Sequence, residues 1–159
     1  MTSHFRRIDH LAIAVRNLED AMAFYVGTLG LTLVERRETR GKHTGMLSAV
    51  LDAGTFKIVL LEGVGEQSQV SRFIQNFGQG VQHVAFEVDD IERTAESLAH
   101  SGMRFSTRLL VGPGLKQIFS VRDPVSGMMY ELIERVGETG FQDNNVNQLF
   151  QQLEESGSY

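Results

Sequence analysis

The sequence has no cysteine. That excludes disulfides, thiolate metal sites and a cysteine nucleophile, and leaves the redox compartment open. No apolar run is long enough to span a bilayer, and residues 1–7 are polar where a secretory leader needs an apolar centre. Basic residues are not interleaved with aromatics, and the formal net charge is -5, so neither nucleic acid nor an anionic membrane is expected as a partner. A soluble, cytoplasmic protein is the expectation. What is present is ordinary for a folded chain. The 159 residues, 42% apolar and 8% aromatic, suit one domain with a sizeable core or two small modules that share one.

The chain reads as one module written twice. Residues 8–15, Ile-Asp-His-Leu-Ala-Ile-Ala-Val, alternate with the strand period, and residues 81–88, Val-Gln-His-Val-Ala-Phe-Glu-Val, repeat the theme. An amphipathic helix follows each. The first spans about 18–26 with Asn17 as its cap; the second spans about 91–100 with Asp89 as its cap and Glu92 completing a capping box. Glycines close each helix, Gly27 and Gly30 in one copy and Gly102 in the other. Three strands are then expected per copy, over 31–37, 46–52 and 56–61, and over 104–110, 116–122 and 128–134. Gly54-Thr55 and Ser126-Gly127 supply the turn before the last strand of each.

The predicted fold is α+β: two paired βαβββ modules, about 5–63 and 80–136, forming an open β-barrel. The linker 64–79 carries a short helix over 68–76, and a C-terminal helix runs from about 144 to 155. One module's sheet leaves a face uncovered, so two must pair to build a core.

Aligning the copies on His10 and His83, and then on their closing strands, sets Val59 opposite Glu131. A pseudo-twofold therefore gathers four positions, of which His10, His83 and Glu131 are metal-ligand types and Val59 is not. Two imidazoles and a carboxylate on one face, with other positions open, suit a non-haem iron(II) oxygenase, while zinc with the same ligands suits hydrolysis. Strand parity puts Ile8, His10, Ala12 and Ala14 on one face and Val81, His83, Ala85 and Glu87 on another, with the alanines leaving room beside each histidine. Glu131 lies between Met129 and Ile133 on an apolar face, where an unpaired carboxylate is costly. His4, His43 and His100 have no counterpart in the other copy and are read as surface residues.

Ile8-Asp9-His10, followed by a helix with Phe24-Tyr25, Gly27 and Leu29-Gly30-Leu31, resembles the vicinal-oxygen-chelate superfamily. That group includes glyoxalase I, methylmalonyl-CoA epimerase, antibiotic-resistance proteins and dioxygenases. Narrower segments are similar to the catalytic half of 4-hydroxyphenylpyruvate dioxygenase and hydroxymandelate synthase. These are Gly78 through Phe86, Leu115 through Ser120, Tyr130 through Gly137, and the run from Thr139-Gly140-Phe141 through Asn145 to Leu149-Phe150, which looks like their lid helix.

The resemblance implies Fe(II) held by His10, His83 and Glu131, with a 2-oxo acid and O2 as partners. It implies Gln69 and Gln117 as catalytic polar groups, and Ser48, Gln82, Phe119 and Phe141 around the substrate. Strand parity points Gln82 away from the face of His83. Leu61 stands where the dioxygenases usually have an asparagine, Val146 replaces a lid phenylalanine, and the segment between Phe105 and Gln117 is shorter than theirs. Two other readings accompany the oxygenase. One is a metal-dependent isomerase or lyase of the glyoxalase or epimerase type, with Glu62 as a substitute fourth ligand. The other is a protein that binds a small molecule or antibiotic. Domains of this size in the superfamily often form homodimers, which is expected of this chain too.

Overall fold

A computed structural model describes residues 5–137 and 140–157. The first module comprises β1 (Phe5–Ala14), α1 (Leu18–Met22), a π-helical turn (Ala23–Thr28), β2 (Thr32–Arg40), β3 (Gly45–Asp52) and β4 (Lys57–Val64). After α2 (Gln69–Phe77) come β5 (Gly80–Val88), α3 (Ile91–His100), β6 (Leu110–Gly112), β7 (Leu115–Phe119), β8 (Met129–Arg135) and α4 (Asp143–Ser156). The architecture is α+β. Among the described residues the eight strands form one sheet curled into a half-barrel, in the order β2-β3-β4-β1-β5-β8-β7-β6.

That order is symmetric about its middle. β1 and β5 pair antiparallel at the centre, and each has a parallel neighbour outside it, β4 beside β1 and β8 beside β5. Residues 73 positions apart correspond as far as the turn before the closing strands, which places the caps Asn17 and Asp90 and the positive-φ turn glycines Gly54 and Gly127 at matching points, and residues 72 apart correspond within the closing strands. Asn17 accepts from the Asp20 amide at 2.9 Å and Asp90 from the Arg93 amide at 3.0 Å. The α3 cap is therefore Asp90 rather than the expected Asp89. Asp89 pairs with Arg6 and Glu92 with Lys116, so the predicted capping box does not form.

Two further expectations are corrected. The first helix is not α-helical to residue 26; from Ala23 its hydrogen bonds lengthen, Leu29 N–H reaching Phe24 O at 2.9 Å and Leu31 N–H reaching Tyr25 O at 3.0 Å. The strand expected over 104–110 shrinks to a bridge between Phe105 and Ser120 and the three residues of β6. Side chains supplement the backbone bonds there: Ser106 N–H donates to Phe119 O at 2.9 Å, Thr107 Oγ1 accepts from the Phe119 amide at 3.0 Å and Ser106 Oγ donates to Ser120 O at 3.0 Å.

The helices divide between the two faces. Leu18 of α1 packs with Val15, Leu51 and Leu60 on the first module, and Ile91 of α3 packs with Val88, Ile118 and Leu132 on the second. On the other face, Phe150 of α4 joins Ala12, Met46, Val59 and Leu61, and Leu149 and Leu153 join Leu110, Phe119 and Met129. α4 thus bridges both modules across the hollow of the sheet. Each large side chain it buries contributes about 1.5–3 kcal/mol to holding it there.

Candidate metal centre

Pairing of β1 with β5 brings the two histidines together. Ala12 lies opposite His83 and Ala85 opposite His10, so each imidazole stands beside the smallest neighbour a strand can offer. On the flanks, β4 sets Val59 beside Ala12 and β8 sets Glu131 beside Ala85. The four symmetry-related positions anticipated from the repeat are thus adjacent at the middle of the sheet. Val59 alone among them lacks a donor atom.

His10 Nε2 is 3.1 Å from Glu131 Oε2, His83 Nε2 is 3.4 Å from the same oxygen, and the two Nε2 atoms are 3.4 Å apart. Three donors so spaced can all reach one ion at about 2.1 Å. The trio forms the candidate metal cluster, and all three residues are buried. Glu131 is only 1% exposed. A carboxylate that deep needs a cation or full hydrogen bonding, so its chemistry fits a divalent ion.

The opposite ring nitrogens are fixed from behind. Relative to its partner, β1 carries one extra residue between Ile8 and His10, and β5 carries one between Val81 and His83. Those residues are Asp9 and Gln82, 73 positions apart. A bulge suspends the alternation of side chains. Asp9 Oδ2 lies 2.7 Å from His10 Nδ1, and Gln82 Oε1 lies 2.6 Å from His83 Nδ1. With each Nδ1–H donating to its oxygen, Nε2 is the atom turned to the centre, as in metal-binding imidazoles. Gln82 is therefore not directed away as strand parity suggests, and Ile8 no longer shares the face of His10 but is solvent-exposed.

Burial and mutual attraction set the protonation of the cluster. Burial disfavours the His10 imidazolium, but the Glu131 carboxylate and the Asp9 hydrogen bond outweigh it and raise the pKa to about 9. Burial disfavours the Glu131 carboxylate too, yet attraction to His10 and hydrogen bonds from both histidines lower its pKa to about 2. His83 is pushed down, chiefly by burial. Without an ion, one proton on His10 does the neutralising.

The profile of the Glyoxalase/Bleomycin resistance protein/Dioxygenase superfamily matches residues 7–132. The chain belongs to this superfamily. It is 29% identical over 186 aligned positions to 4-hydroxyphenylpyruvate dioxygenase of Pseudomonas aeruginosa, covering 93% of the chain and 52% of that protein. It is 32% identical over 129 positions to mitochondrial methylmalonyl-CoA epimerase of Homo sapiens, covering 79% of the chain and 72% of that protein. A mutant 4-hydroxymandelate synthase from Streptomyces coelicolor superposes with a TM-score of 0.88 over 99% of this chain and 57% of that one, at 24% identity, a likeness of fold. The chain spans about half the length of the dioxygenase relatives it matches.

Within the superfamily scaffold, the other side chains singled out from the sequence also gather around the cluster. Gln117 Nε2 donates to Glu131 Oε1 at 2.7 Å, and Gln82 Nε2 donates to Gln69 Oε1 at 3.3 Å. Phe119 lies edge-on to His83 with centroids 4.7 Å apart, and Phe141 does the same to His10 at 5.1 Å. Ser48, Leu61 and Val146 line the same cavity. His43 and His100 are exposed, and His4 and Thr139 lie outside the described residues.

Glu62 is not a spare ligand. Its Oε2 accepts from the Leu18 amide at 2.6 Å at the start of α1, and Glu134 accepts from the Ile91 amide at 2.8 Å at the start of α3. Both carboxylates serve helix N-termini. Four residues near the centre escaped the sequence reading: Asp9, Arg37, Arg135 and Asn145. For Asp9 a signal existed in the polar residue that precedes the histidine in both copies. Asn145, on α4, donates to Gln117 Oε1 at 3.2 Å and so stands one step behind Glu131.

Proposed function

We propose that this chain is the catalytic unit of a non-haem Fe(II)-dependent oxygenase that acts on a 2-oxo acid, in the manner of 4-hydroxyphenylpyruvate dioxygenase. One observation carries the reading. Three buried donors converge, and the symmetry-related fourth position holds Val59, which leaves that side free of protein ligands. His10 and His83, through Nε2, and Glu131 would hold the ion. Bound there, Fe(II) supplies the redox chemistry by which O2 oxidatively decarboxylates a 2-oxo acid and oxidises the same molecule.

The chain's own residues supply position and exclusion of water. Gln117 donates to Glu131 and fixes which carboxylate oxygen faces the histidines. Gln82 orients His83, and Gln69 orients Gln82. Ser48 offers a hydroxyl in a cavity otherwise walled by Met46, Val50, Leu61 and Phe150. Phe119 and Phe141 flank the histidines and would hold an aromatic or apolar tail against them. A cytoplasmic location and a homodimer complete this reading; sedimentation of the full chain tests the latter.

The 32% identity to methylmalonyl-CoA epimerase favours a second reading, a metal-dependent isomerase in which the ion polarises a carbonyl beside a base. Val59 in the fourth position and Glu62 committed to α1 weigh against it. Loading with Fe(II) under anaerobic conditions, then measuring O2 uptake with a panel of 2-oxo acids, decides between them. Uptake with at least one acid, with CO2 released in step, is the expected result. Tight metal binding with no uptake for any acid would defeat the oxygenase reading.

A further inference from the structure

Arg135, the last residue of β8, joins the site to the chain that leads into α4. Its Nε donates to Asp9 Oδ1 at 2.8 Å and its Nη2 to Asp9 Oδ2 at 3.2 Å, a two-pronged grip on the carboxylate behind His10. Nη1 donates to Gly140 O at 2.6 Å, and the guanidinium lies over the Phe141 ring, 5.2 Å from its centroid. Phe141 in turn meets the His10 ring. The contacts close a circuit: His10, Asp9, Arg135, Phe141 and back to His10.

The circuit is shielded, for the Arg135 side chain is 8% exposed and that of Asp9 3%. Charge-assisted bonds are strongest in such surroundings, and cutting one strands a buried charge. Arg37 holds the same segment from the other side, donating to Phe141 O at 3.0 Å and to Asp143 Oδ1 at 2.7 Å at the first turn of α4. Behind His83 the supporting group is a neutral amide, Gln82, which among the described residues donates to Gln69.

We propose that Arg135 is a positioning residue that makes orientation of His10 and docking of residues 140–141 one event. Metal binding and packing of α4 then stabilise each other, as reciprocal coupling requires. The proposal rests on the metal reading above.

The test combines two measurements on the full chain: Fe(II) affinity, taken anaerobically against a chromogenic chelator, and amide hydrogen exchange of α4 with and without the ion. In the unmodified protein Fe(II) slows exchange across α4. In Arg135→Met, Fe(II) affinity falls about 10–100-fold, the range for a lost orienting partner, and the ion no longer changes α4 exchange. Arg135→Lys keeps the charge without the two-pronged grip and falls between. Asp9→Asn weakens binding similarly, and adding Arg135→Met to it costs little more, because both cut one link. Wild-type affinity in Arg135→Met, additive losses in the double variant, or lower stability with the Fe(II) effect on α4 intact would each overturn the proposal while leaving the metal site standing. No Fe(II) binding by the unmodified protein overturns the metal reading itself.

Discussion

His10 and His83 occupy equivalent places in equivalent modules, yet the groups behind them differ in kind. His10 is backed by Asp9, a carboxylate gripped by Arg135; His83 is backed by Gln82, an amide in contact with Gln69. In front of them the difference recurs, Glu131 on one flank and Val59 on the other. The repeated backbone fixes where side chains stand, down to the bulge before each histidine. Which of those places carries charge is decided residue by residue. The first module gives a charged support behind its histidine and no carboxylate in front, the second the reverse, and the two charges meet across the β1–β5 seam.

The largest effects should come from making the front alike. Glu131→Ala, which leaves apolar residues on both flanks, is expected to lower Fe(II) affinity by more than about 100-fold, beyond the range for an orienting residue. Metal analysis of the purified variant checks this, and stoichiometric iron would contradict it. Val59→Glu instead puts a carboxylate on both. Fe(II) is expected to stay bound while 2-oxo-acid-dependent O2 uptake falls to background; unchanged uptake would remove the significance of the apolar position.

Next come the supports. Asp9→Ala should weaken Fe(II) binding by about 10–100-fold and Gln82→Ala by about tenfold or less, because only Asp9 is charged and held by an arginine. Equal losses in anaerobic titrations would show that the asymmetry behind the histidines has no consequence for the metal.

A third effect is set by pH. His10 has a folded pKa raised from 6.5 to about 9, so its proton must leave when an ion arrives. Between pH 7 and 8, Fe(II) binding should release about one proton, and apparent affinity should climb about tenfold per pH unit before levelling off above about 9. In the metal-free protein the raised His10 contributes stability that is fully present below 6.5 and lost as pH rises through about 9. The lowered Glu131 contributes stability present above 4.5 and lost as pH falls through about 2. Titration in two buffers of different ionisation enthalpy reports the proton count, and zero would contradict the assignment.

The smallest effect tests what the halves share. Glu62→Gln and Glu134→Gln each weaken an N-terminal contact of a helix and should each cost about 1 kcal/mol in denaturant unfolding. Neither should change Fe(II) affinity; a metal defect in Glu62→Gln alone would revive it as a ligand.

Much of this was legible in the sequence, because a repeat constrains itself. Alternation around His10 and His83, paired helix starts and paired turns gave the α+β half-barrel, and the alignment of closing strands gave Val59 opposite Glu131. What escaped has local causes. A bulge cannot be seen in a hydrophobic pattern, so strand parity alone points Gln82 away from the face of His83. Side-chain hydroxyls at Ser106 and Thr107 share the pairing with backbone groups, in a stretch whose residues alternate well enough to read as a full strand. Arg135 sits at the end of an apolar strand, where a charge ordinarily meets water. Its role depends on Asp9, which is 126 residues away in the chain.

The pseudo-twofold also bears on ancestry. Two identical copies of such a module, paired edge to edge, would present ligands only in even numbers: two histidines alone, or two histidines with two carboxylates. A centre with three donors is out of reach for any assembly of identical halves. It requires that the halves differ, which covalent fusion permits, since each copy can then mutate without its twin changing too. In this chain three donors and one valine at equivalent positions show that the two halves are not identical around the centre.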